Sequence, residues 1–313
     1  MSTFDGPDAF DVLIAGGGPA GMSAALTLGR THRRVLLLDA GEGRNAPADA
    51  VHNFLTRDGT PPARLREIGR KELSAYPTVR IQDDAITDVA AGPPFEVTLA
   101  GDGKKVRARR LVLATGLADD LPDLPGVARL WGRSAFHCPY CHGYECTGKT
   151  VAVMGSEPAR VRLALQLSRF AADVVLCTNG VPFQAKGIGV RCEPVVRLDA
   201  DGDRLERIVF ADGPPLDRDA VFVENVPRQR SDLAARLGCA LLPDGSVEIE
   251  EFARTSVPGV YAAGDMARRA TFPMPMAAVV GAAASGTLAG AVADQDLISE
   301  DFGLPNPFAA RPA

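Results

Sequence analysis

The sequence has no surplus of basic residues: 34 lysines and arginines face 39 aspartates and glutamates, and the formal net charge is -5. A chain of this charge lacks the positive footprint that nucleic acid or an anionic membrane requires. Its first ten residues lack the cationic and apolar regions of a secretory signal, which predicts a cytoplasmic protein. We therefore expect small molecules or proteins as partners, with no nucleic acid and no membrane.

Long apolar runs are also scarce. The stretch 270–293 is uncharged, but it contains Pro273 and Pro275 and little leucine or isoleucine. This composition favours a buried helix with close neighbours over a membrane helix. With 313 residues, the chain is long enough for two domains that each bury a core.

Cysteines are few, six in the whole chain, which is too few for a disulfide-stabilised scaffold. Inert thiols are expected at the scattered positions Cys177, Cys192 and Cys239. Cys138 and Cys141 differ, because they form a C-x-x-C motif. A histidine stands on either side of this motif, at His137 and His142.

The first pattern with a chemical meaning is a strand, a glycine turn and a helix. Residues 11–15 are an apolar run and residues 22–30 have helical spacing. The turn between them holds the candidate cofactor-binding residues Gly16, Gly18, Pro19, Ala20 and Gly21. In a dinucleotide-binding turn the first glycine makes the tight bend, the second lets the backbone approach a pyrophosphate, and the third packs helix on strand.

An acidic residue completes this pattern. Asp39 ends a second apolar strand, 35–38, and follows Gly21 by 39 − 21 = 18 positions. The acid that binds ribose hydroxyls is expected roughly 20 positions after the glycines. The alternative is a tight turn without a ligand, and two further segments argue against it.

The first of these segments is an apolar strand, 111–113, that ends in Ala114, Thr115 and Gly116. The second, 257–265, is a turn and a short strand that end in Gly264 and Asp265. Gly264 permits close backbone approach, and Asp265 can accept a hydrogen bond from a ribityl hydroxyl or orient a phosphate.

The three segments, in this order, resemble the two-dinucleotide-binding-domain flavoprotein family. The resemblance implies an α/β fold of two Rossmann-like domains, with the second inserted in the first. It implies a discontinuous FAD-binding domain of residues 1–118 and 248–313, and an insert of residues 119–247 that carries the C-x-x-C. It also implies that Met276 and Ala277, ahead of the final helix, contribute to FAD binding.

A cysteine pair at the start of the inserted domain resembles the low-molecular-weight thioredoxin reductases. In that branch a second glycine loop binds NADPH, but here residues 155–160 keep only the first glycine. Glu157 adds bulk and like charge where a pyrophosphate would approach. We therefore expect the insert to keep a Rossmann-like frame without NADPH.

Zinc is the alternative use of the two cysteines and two histidines. Adjacent residues rarely reach one metal together, and no second ligand pair follows, so no metal is expected. The resemblance instead implies that Cys138 exchanges with substrate and that Cys141 is proximal to the flavin. His142, which titrates near neutrality when unperturbed, is the candidate base, with His137 as the next candidate. His142 could also be only a structural hydrogen-bonding group.

The run 138–145 resembles the dithiol oxidases of thioredoxin-reductase type, which close disulfides in gliotoxin, holomycin and romidepsin-like natural products. This resemblance implies a homodimer that oxidises a small dithiol, with O2 as acceptor and H2O2 as product. Two alternatives stay open: a disulfide reductase fed by NADPH or a reduced protein, and a non-enzymatic redox sensor. The segments 52–54 and 272–276 are candidates for positions near the flavin or for packing.

Overall fold

The computed structural model describes residues 6–41, 43–184 and 186–308. The chain divides into two compact units. Unit 1 consists of Met1–Arg44, Ala63–Ala118 and Arg228–Ala313. Unit 2 consists of Asn45–Pro62 and Asp119–Pro227.

The chain alternates strands and helices over most of its length. The strands are β1 Ala9–Ala15, β2 Val35–Leu38, β3 Val79–Gln82, β4 Ile86–Ala90, β5 Phe95–Leu99, β6 Lys105–Leu113, β7 Leu117–Asp120, β8 Ala135–Phe136, β9 Thr150–Met154, β10 Asp173–Cys177, β11 Gly189–Arg191, β12 Val195–Asp201, β13 Arg204–Phe210, β14 Leu216–Asp217, β15 Ala220–Phe222, β16 Val226–Gln229, β17 Val247–Glu248, β18 Val260–Ala262 and β19 Ala267–Arg268. The helices are α1 Pro19–Arg30, α2 Pro62–Leu73, α3 Val127–Leu130, α4 Pro139–His142, α5 Pro158–Leu167, α6 Leu233–Arg236 and α7 Val279–Phe302, with a 3₁₀ turn at Tyr144–Cys146.

Unit 1 is built on a seven-stranded sheet in the order β3-β2-β1-β6-β5-β4, with β18 also paired to β6. The pairs among β1, β2, β3, β6 and β18 are parallel, whereas β4 and β5 are antiparallel additions. All four residues of β2 are buried, as expected of a parallel strand covered on both faces. The carboxyl ends of β1, β2, β6 and β18 therefore lie along one edge of this sheet.

Helix α7 packs against α1 with almost no space between the two backbones. A side chain at Gly286 would fall on the carbonyl oxygen of Ala20, and one at Gly290 would lie 2.9 Å from the carbonyl oxygen of Ala24. The small residues of this stretch are therefore required by close packing, which the sequence predicted. No helix in the described part of the chain is long and apolar enough to cross a membrane.

Unit 2 contains a five-stranded parallel sheet in the order β11-β10-β9-β15-β8 and an antiparallel sheet of β12, β13 and β14. Residues 45–62 belong to this unit as a loop closed by a bridge between Val51 and Thr60. The loop is attached through an ion pair between Asp49 and Arg133.

The predicted α/β fold with two Rossmann-like domains is confirmed. The compact units differ from the predicted boundaries in two segments. Residues 228–247 lie with unit 1, because their apolar side chains enter its core: Leu233, Ala234, Cys239 and Val247. Residues 45–62 lie with unit 2 through the contacts just described.

Candidate active site

The glycine turn of unit 1 brings the three predicted segments together. Gly16 has a φ of 114°, and a side chain there would overlap the carbonyl oxygen of Ala114 at the end of β6. The Cβ of Ala20 lies 3.1 Å from where a Cβ at Gly264 would stand. The first, middle and last segments therefore meet at one edge of the sheet.

The middle of the turn is open. Gly18 caps the N-terminus of α1, followed by Pro19, and a Cβ added at Gly18 would meet nothing within 4 Å. The backbone N–H groups at a helix N-terminus favour an anion, and a proline costs nothing at this position. A turn of this form fits the pyrophosphate of a dinucleotide. Gly21 is also constrained, because a side chain there would overlap the carbonyl oxygen of Gly16.

Asp39 is 4% exposed and lies directly beside this turn. Its Oδ1 accepts a hydrogen bond of 3.0 Å from the Gly41 N–H. Its Oδ2 accepts from Arg66 at 2.7 Å and from Arg70 at 3.0 Å. A Cβ at Gly17 would overlap the Asp39 carboxylate. The two arginines place positive charge beside this buried carboxylate.

Sequence reasoning missed Gly17, Arg66 and Arg70. The spacing of the two arginines on α2 is i, i+4, which puts them on one face of the helix. That spacing was the available signal, but it does not identify the partner of the arginines.

The remaining predicted cofactor residues have defined neighbours. The Gly264 N–H donates to the Ser285 hydroxyl at 2.9 Å, and Asp265 pairs with Arg44 at 3.3 Å. The Thr115 hydroxyl lies 3.3 Å from the sulfur of Met266. The carbonyl oxygen of Gly116 accepts from the Arg230 N–H. Met276 is exposed, and it precedes the α7 N-cap together with Ala277.

The cysteine pair lies on unit 2. Cys138 caps the four-residue helix α4, and Cys141 lies within it. The Sγ of Cys141 donates to the Sγ of Cys138 at 2.7 Å. A disulfide measures about 2.05 Å, so the pair closes by a shift of less than about 1 Å. This geometry suits reversible oxidation of the two thiols.

The ring of His142 packs against an aromatic neighbour. Its ring stacks on Phe136 with centroids 4.5 Å apart. Both ring nitrogens are buried without a hydrogen-bond partner in the described structure. Burial, aided by the nearby His52 and His137, lowers the pKa of His142 to about 4. The expectation of titration near neutrality therefore differs from the structure, in which His142 is a neutral imidazole at pH 7.

The other histidines occupy separate positions around α4. His137 stacks on Trp131 with centroids 5.3 Å apart. His52 meets His142 edge to face at 6.4 Å between centroids. The Nε2 of His52 lies 3.4 Å from Glu145. The sequence marked His52 as a candidate near the flavin, but did not pair it with His142 or Glu145, because long-range contacts leave no local pattern.

The second glycine loop, at residues 155–160 of unit 2, is filled by its own side chains. Arg160 is 9% exposed and donates to the carbonyl oxygens of Met154 and Phe222, each at 2.6 Å. A Cβ at Gly155 would lie 2.8 Å from both the Arg160 side chain and the Glu157 carboxylate. Side chains thus occupy the space at this loop of unit 2, whereas the corresponding space at the turn of unit 1 is open.

The described residues contain no group of three or more histidines, cysteines or acids arranged to hold a metal ion. Unit 1 thus carries an open dinucleotide turn, and unit 2 carries a cysteine pair with three histidines around its helix.

These features belong to one class of protein. The chain is a member of the pyridine nucleotide-disulphide oxidoreductase family, whose model matches residues 10–286. It is an oxidoreductase and a flavoprotein with FAD as its cofactor, as the sequence predicted. The open turn at the start of α1 has the shape that the pyrophosphate of FAD requires.

Individual relatives narrow this class. The chain is 32% identical over 320 residues to "Thioredoxin reductase tcpT" of Claviceps purpurea (strain 20.1), covering 95% of this chain and 97% of the relative. It is 31% identical over 327 residues to "Thioredoxin reductase sirT" of Leptosphaeria maculans, covering 95% and 97%.

Among solved structures, "Crystal structure of HlmI" matches with a TM-score of 0.86 and 37% identity, covering 96% of each chain. The oxidoreductase from Agrobacterium tumefaciens matches with a TM-score of 0.83 and 33% identity, covering 92% of this chain and 98% of that one. The resemblance to thioredoxin-reductase-like enzymes of the gliotoxin and holomycin type is confirmed.

Proposed function

We propose that this protein is an FAD-dependent dithiol oxidase that forms an intramolecular disulfide in a small natural product. The overall reaction converts one dithiol and one O2 into one disulfide and one H2O2. The observation that carries the proposal is Arg160, whose buried guanidinium occupies the second glycine loop. An enzyme without a nicotinamide donor needs its electrons from the thiol substrate itself.

The closed loop resists opening for an energetic reason. Releasing Arg160 from Met154 and Phe222 would leave two strand-end carbonyl oxygens without their donors. Hydrogen bonds to charged groups contribute about 1.5–3 kcal/mol each, and buried unsatisfied carbonyls add a further cost. Glu157 would also place a carboxylate beside the pyrophosphate of NADPH. Both effects oppose nucleotide binding at this loop.

The chemistry of the cysteine pair proceeds by two thiol exchanges. In the first, a substrate thiol loses its proton and attacks Cys138 in the Cys138–Cys141 disulfide, which forms a mixed disulfide and releases the Cys141 thiolate. In the second, the other substrate thiol loses its proton and attacks the substrate sulfur, which releases Cys138. When bound, FAD would supply the two-electron acceptor needed to restore the protein disulfide, with O2 as the final acceptor.

His142 is the proposed acceptor of the substrate protons. Its imidazole is neutral at pH 7 and neither ring nitrogen has a hydrogen-bond partner among the described residues, so the nitrogen without hydrogen is available to accept a proton. Tyr140 and Tyr144, next to the pair, are both exposed and offer an aromatic surface to an apolar dithiol. We further propose a cytoplasmic homodimer, in line with the thioredoxin reductase resemblance.

Oxygen consumption with a panel of dithiols, with and without NADPH, tests the proposal. The oxidase consumes one O2 per disulfide formed without NADPH, and dithiols bleach its flavin anaerobically whereas NADPH does not. Rapid anaerobic bleaching by NADPH would instead establish the disulfide reductase. Bleaching only by a reduced protein donor would also overturn the oxidase. Absence of turnover with every donor would favour a redox sensor.

A further inference from the structure

The carboxylate of Asp39 is held at both of its oxygens. Its Oδ1 accepts from the Gly41 N–H at 3.0 Å, and its Oδ2 accepts from Arg66 at 2.7 Å and from Arg70 at 3.0 Å. An aspartate without such contacts rotates broadly about its last torsion angle. The three hydrogen bonds, made to a side chain that is 4% exposed, therefore hold the carboxylate in one orientation.

This carboxylate is seated directly on the cofactor turn. A Cβ at Gly17 would lie 2.2 Å from the Cγ of Asp39, whereas the space at the next residue, Gly18, is open. In a dinucleotide-binding turn the helix N-terminus takes the pyrophosphate, and the acid after the second strand takes the ribose hydroxyls. Asp39 therefore stands where this kind of fold places the adenosine ribose of FAD.

The three hydrogen bonds leave Asp39 with little remaining capacity as an acceptor. A carboxylate has about four lone-pair sites, two on each oxygen. The two arginines occupy those of Oδ2, and the Gly41 N–H occupies one of those on Oδ1. One site remains, on Oδ1, and a ribose hydroxyl needs one such site for its hydrogen. The arginines thus determine which oxygen of Asp39 is available to a ligand.

The two arginines differ in how exclusively they serve Asp39. Arg70 also pairs with Asp83 at 2.7 Å, just after β3. Arg66 pairs with Asp39 alone among the residues that the structure describes, and it does so through one nitrogen, Nη2. Its side chain is 22% exposed, so water can reach it. Replacement of Arg66 is therefore the change that acts most selectively on Asp39.

We propose that Arg66 and Arg70 are positioning residues for FAD, which hold Asp39 so that its Oδ1 accepts from the ribose of the adenosine half. A carboxylate that is oriented before the ligand arrives loses no rotational freedom on binding, and this preorganisation raises affinity. Neither arginine needs to touch the cofactor. The inference goes beyond the proposed function, because an FAD-dependent oxidase and an FAD-dependent reductase require the same adenosine contact.

Two competitors that differ by the adenosine group test the proposal. FAD is removed from the full-length protein, and recovery of the holoprotein melting temperature when FAD is added back shows that the chain is intact. ADP and inorganic pyrophosphate then compete with FAD for the stripped chain, with flavin fluorescence as the readout. The variants are Arg66→Met, which keeps a long apolar stem, and Arg66→Lys. Arg64→Met is the matched control, because Arg64 lies on the same helix, is 58% exposed and pairs with Glu67.

In Arg66→Met we expect the affinities for FAD and for ADP to fall by up to about tenfold, the usual effect of having to order one side chain on binding. The affinity for pyrophosphate stays unchanged, because pyrophosphate carries no ribose. Lysine should restore most of the loss, since Arg66 reaches Asp39 through one nitrogen and makes no two-pronged contact. Arg64→Met matches the wild type with all three ligands. Equal weakening of ADP and pyrophosphate would indicate a damaged turn and would overturn the inference.

A double-mutant cycle decides whether Arg66 acts through Asp39. Asp39→Ala removes the acceptor, so the addition of Arg66→Met to it should cost no further affinity for ADP. A further loss in the double variant would mean that Arg66 contacts the ligand itself, which would overturn the positioning role. Unchanged or tighter ADP binding in Arg66→Met alone would also overturn it. Absence of O2 consumption with dithiols would defeat the proposed oxidase and would leave these binding measurements as they are.

Discussion

The guanidinium of Arg160 donates a 2.6 Å hydrogen bond to the carbonyl oxygen of Met154, at the end of β9. We predict that Arg160→Ala lowers the free energy of unfolding of the protein by about 2–4 kcal/mol, because two buried carbonyls lose a charged donor. FAD content stays unchanged, since the turn of unit 1 is not altered. Thermal and urea unfolding measure the loss. Arg162→Ala, an exposed arginine on the same helix, is the control and should lie within about 0.5 kcal/mol of the wild type.

Two glycine substitutions in the cofactor turn should have different effects. The side chain introduced by Gly18→Leu extends into open space, so the apoprotein keeps its free energy of unfolding within about 1 kcal/mol but loses FAD. Gly16→Leu combines a φ of 114° with overlap on Ala114, so the fold itself is destabilised. Flavin content and apoprotein melting temperature separate the two. A yellow Gly18→Leu protein with the full amount of FAD would contradict the assignment of the turn.

The two cysteines should trap different species. Cys141→Ser leaves Cys138 able to form a mixed disulfide that cannot be resolved from within the pair, so an activated disulfide probe stays attached. Cys138→Ser should give no stable adduct at the exchange position, and neither variant turns over. Intact-protein mass spectrometry reads the adducts. Equal trapping by both variants would remove the distinction between the cysteines.

His142 should destabilise the protein in acid. Its folded pKa of about 4 lies below the ordinary value of 6.5, so the unfolded state takes up the proton first. The contribution of the neutral His142 to the free energy of unfolding is fully present above pH 6.5. Up to about 3 kcal/mol of it is lost as the pH falls towards 4. His142→Phe keeps the stack on Phe136 and removes this loss. The free energy of unfolding of the variant, measured in urea, should therefore exceed that of the wild type by more at low pH than at pH 7. A constant gap from pH 7 to pH 4 would be the contrary result.

The same substitution tests the role of His142 as a base. His142→Phe should bind FAD normally and lose roughly 10²–10⁴-fold in dithiol turnover at pH 7, the range for removal of a general base. The loss should shrink at alkaline pH, where substrate thiols ionise unaided. Full activity at pH 7 would make His142 structural and His137 the next residue to replace.

Local patterns were sufficient to predict much of the fold. The strand predicted at residues 35–38 has those bounds, and the strand, turn and helix around Gly16 form as expected. Each depends on neighbours within a few residues, such as apolar runs and glycines at fixed spacing. The predicted helix after Asp265 begins only at Val279, because the two prolines before it do not continue a helix.

Other features depended on contacts between distant segments. Asp39 is paired with Arg66 and Arg70 on the following helix, and His52 is paired with Glu145 nearly a hundred positions further on. No periodic pattern in the sequence indicates such long-range pairs. The lowered pKa of His142 also depends on burial against Phe136. The residue type alone predicts an ordinary histidine pKa, whereas the fold lowers it to about 4.

The packing of α7 on α1 also affects when FAD can bind during synthesis of the chain. The turn at Gly16 to Gly21 leaves the ribosome more than 250 residues before Gly286, which packs directly onto Ala20 within it. Until α7 has been synthesised, the turn lacks the helix that packs against it. We therefore expect FAD to bind only after α7 has formed, and a chain truncated before Val279 should stay colourless.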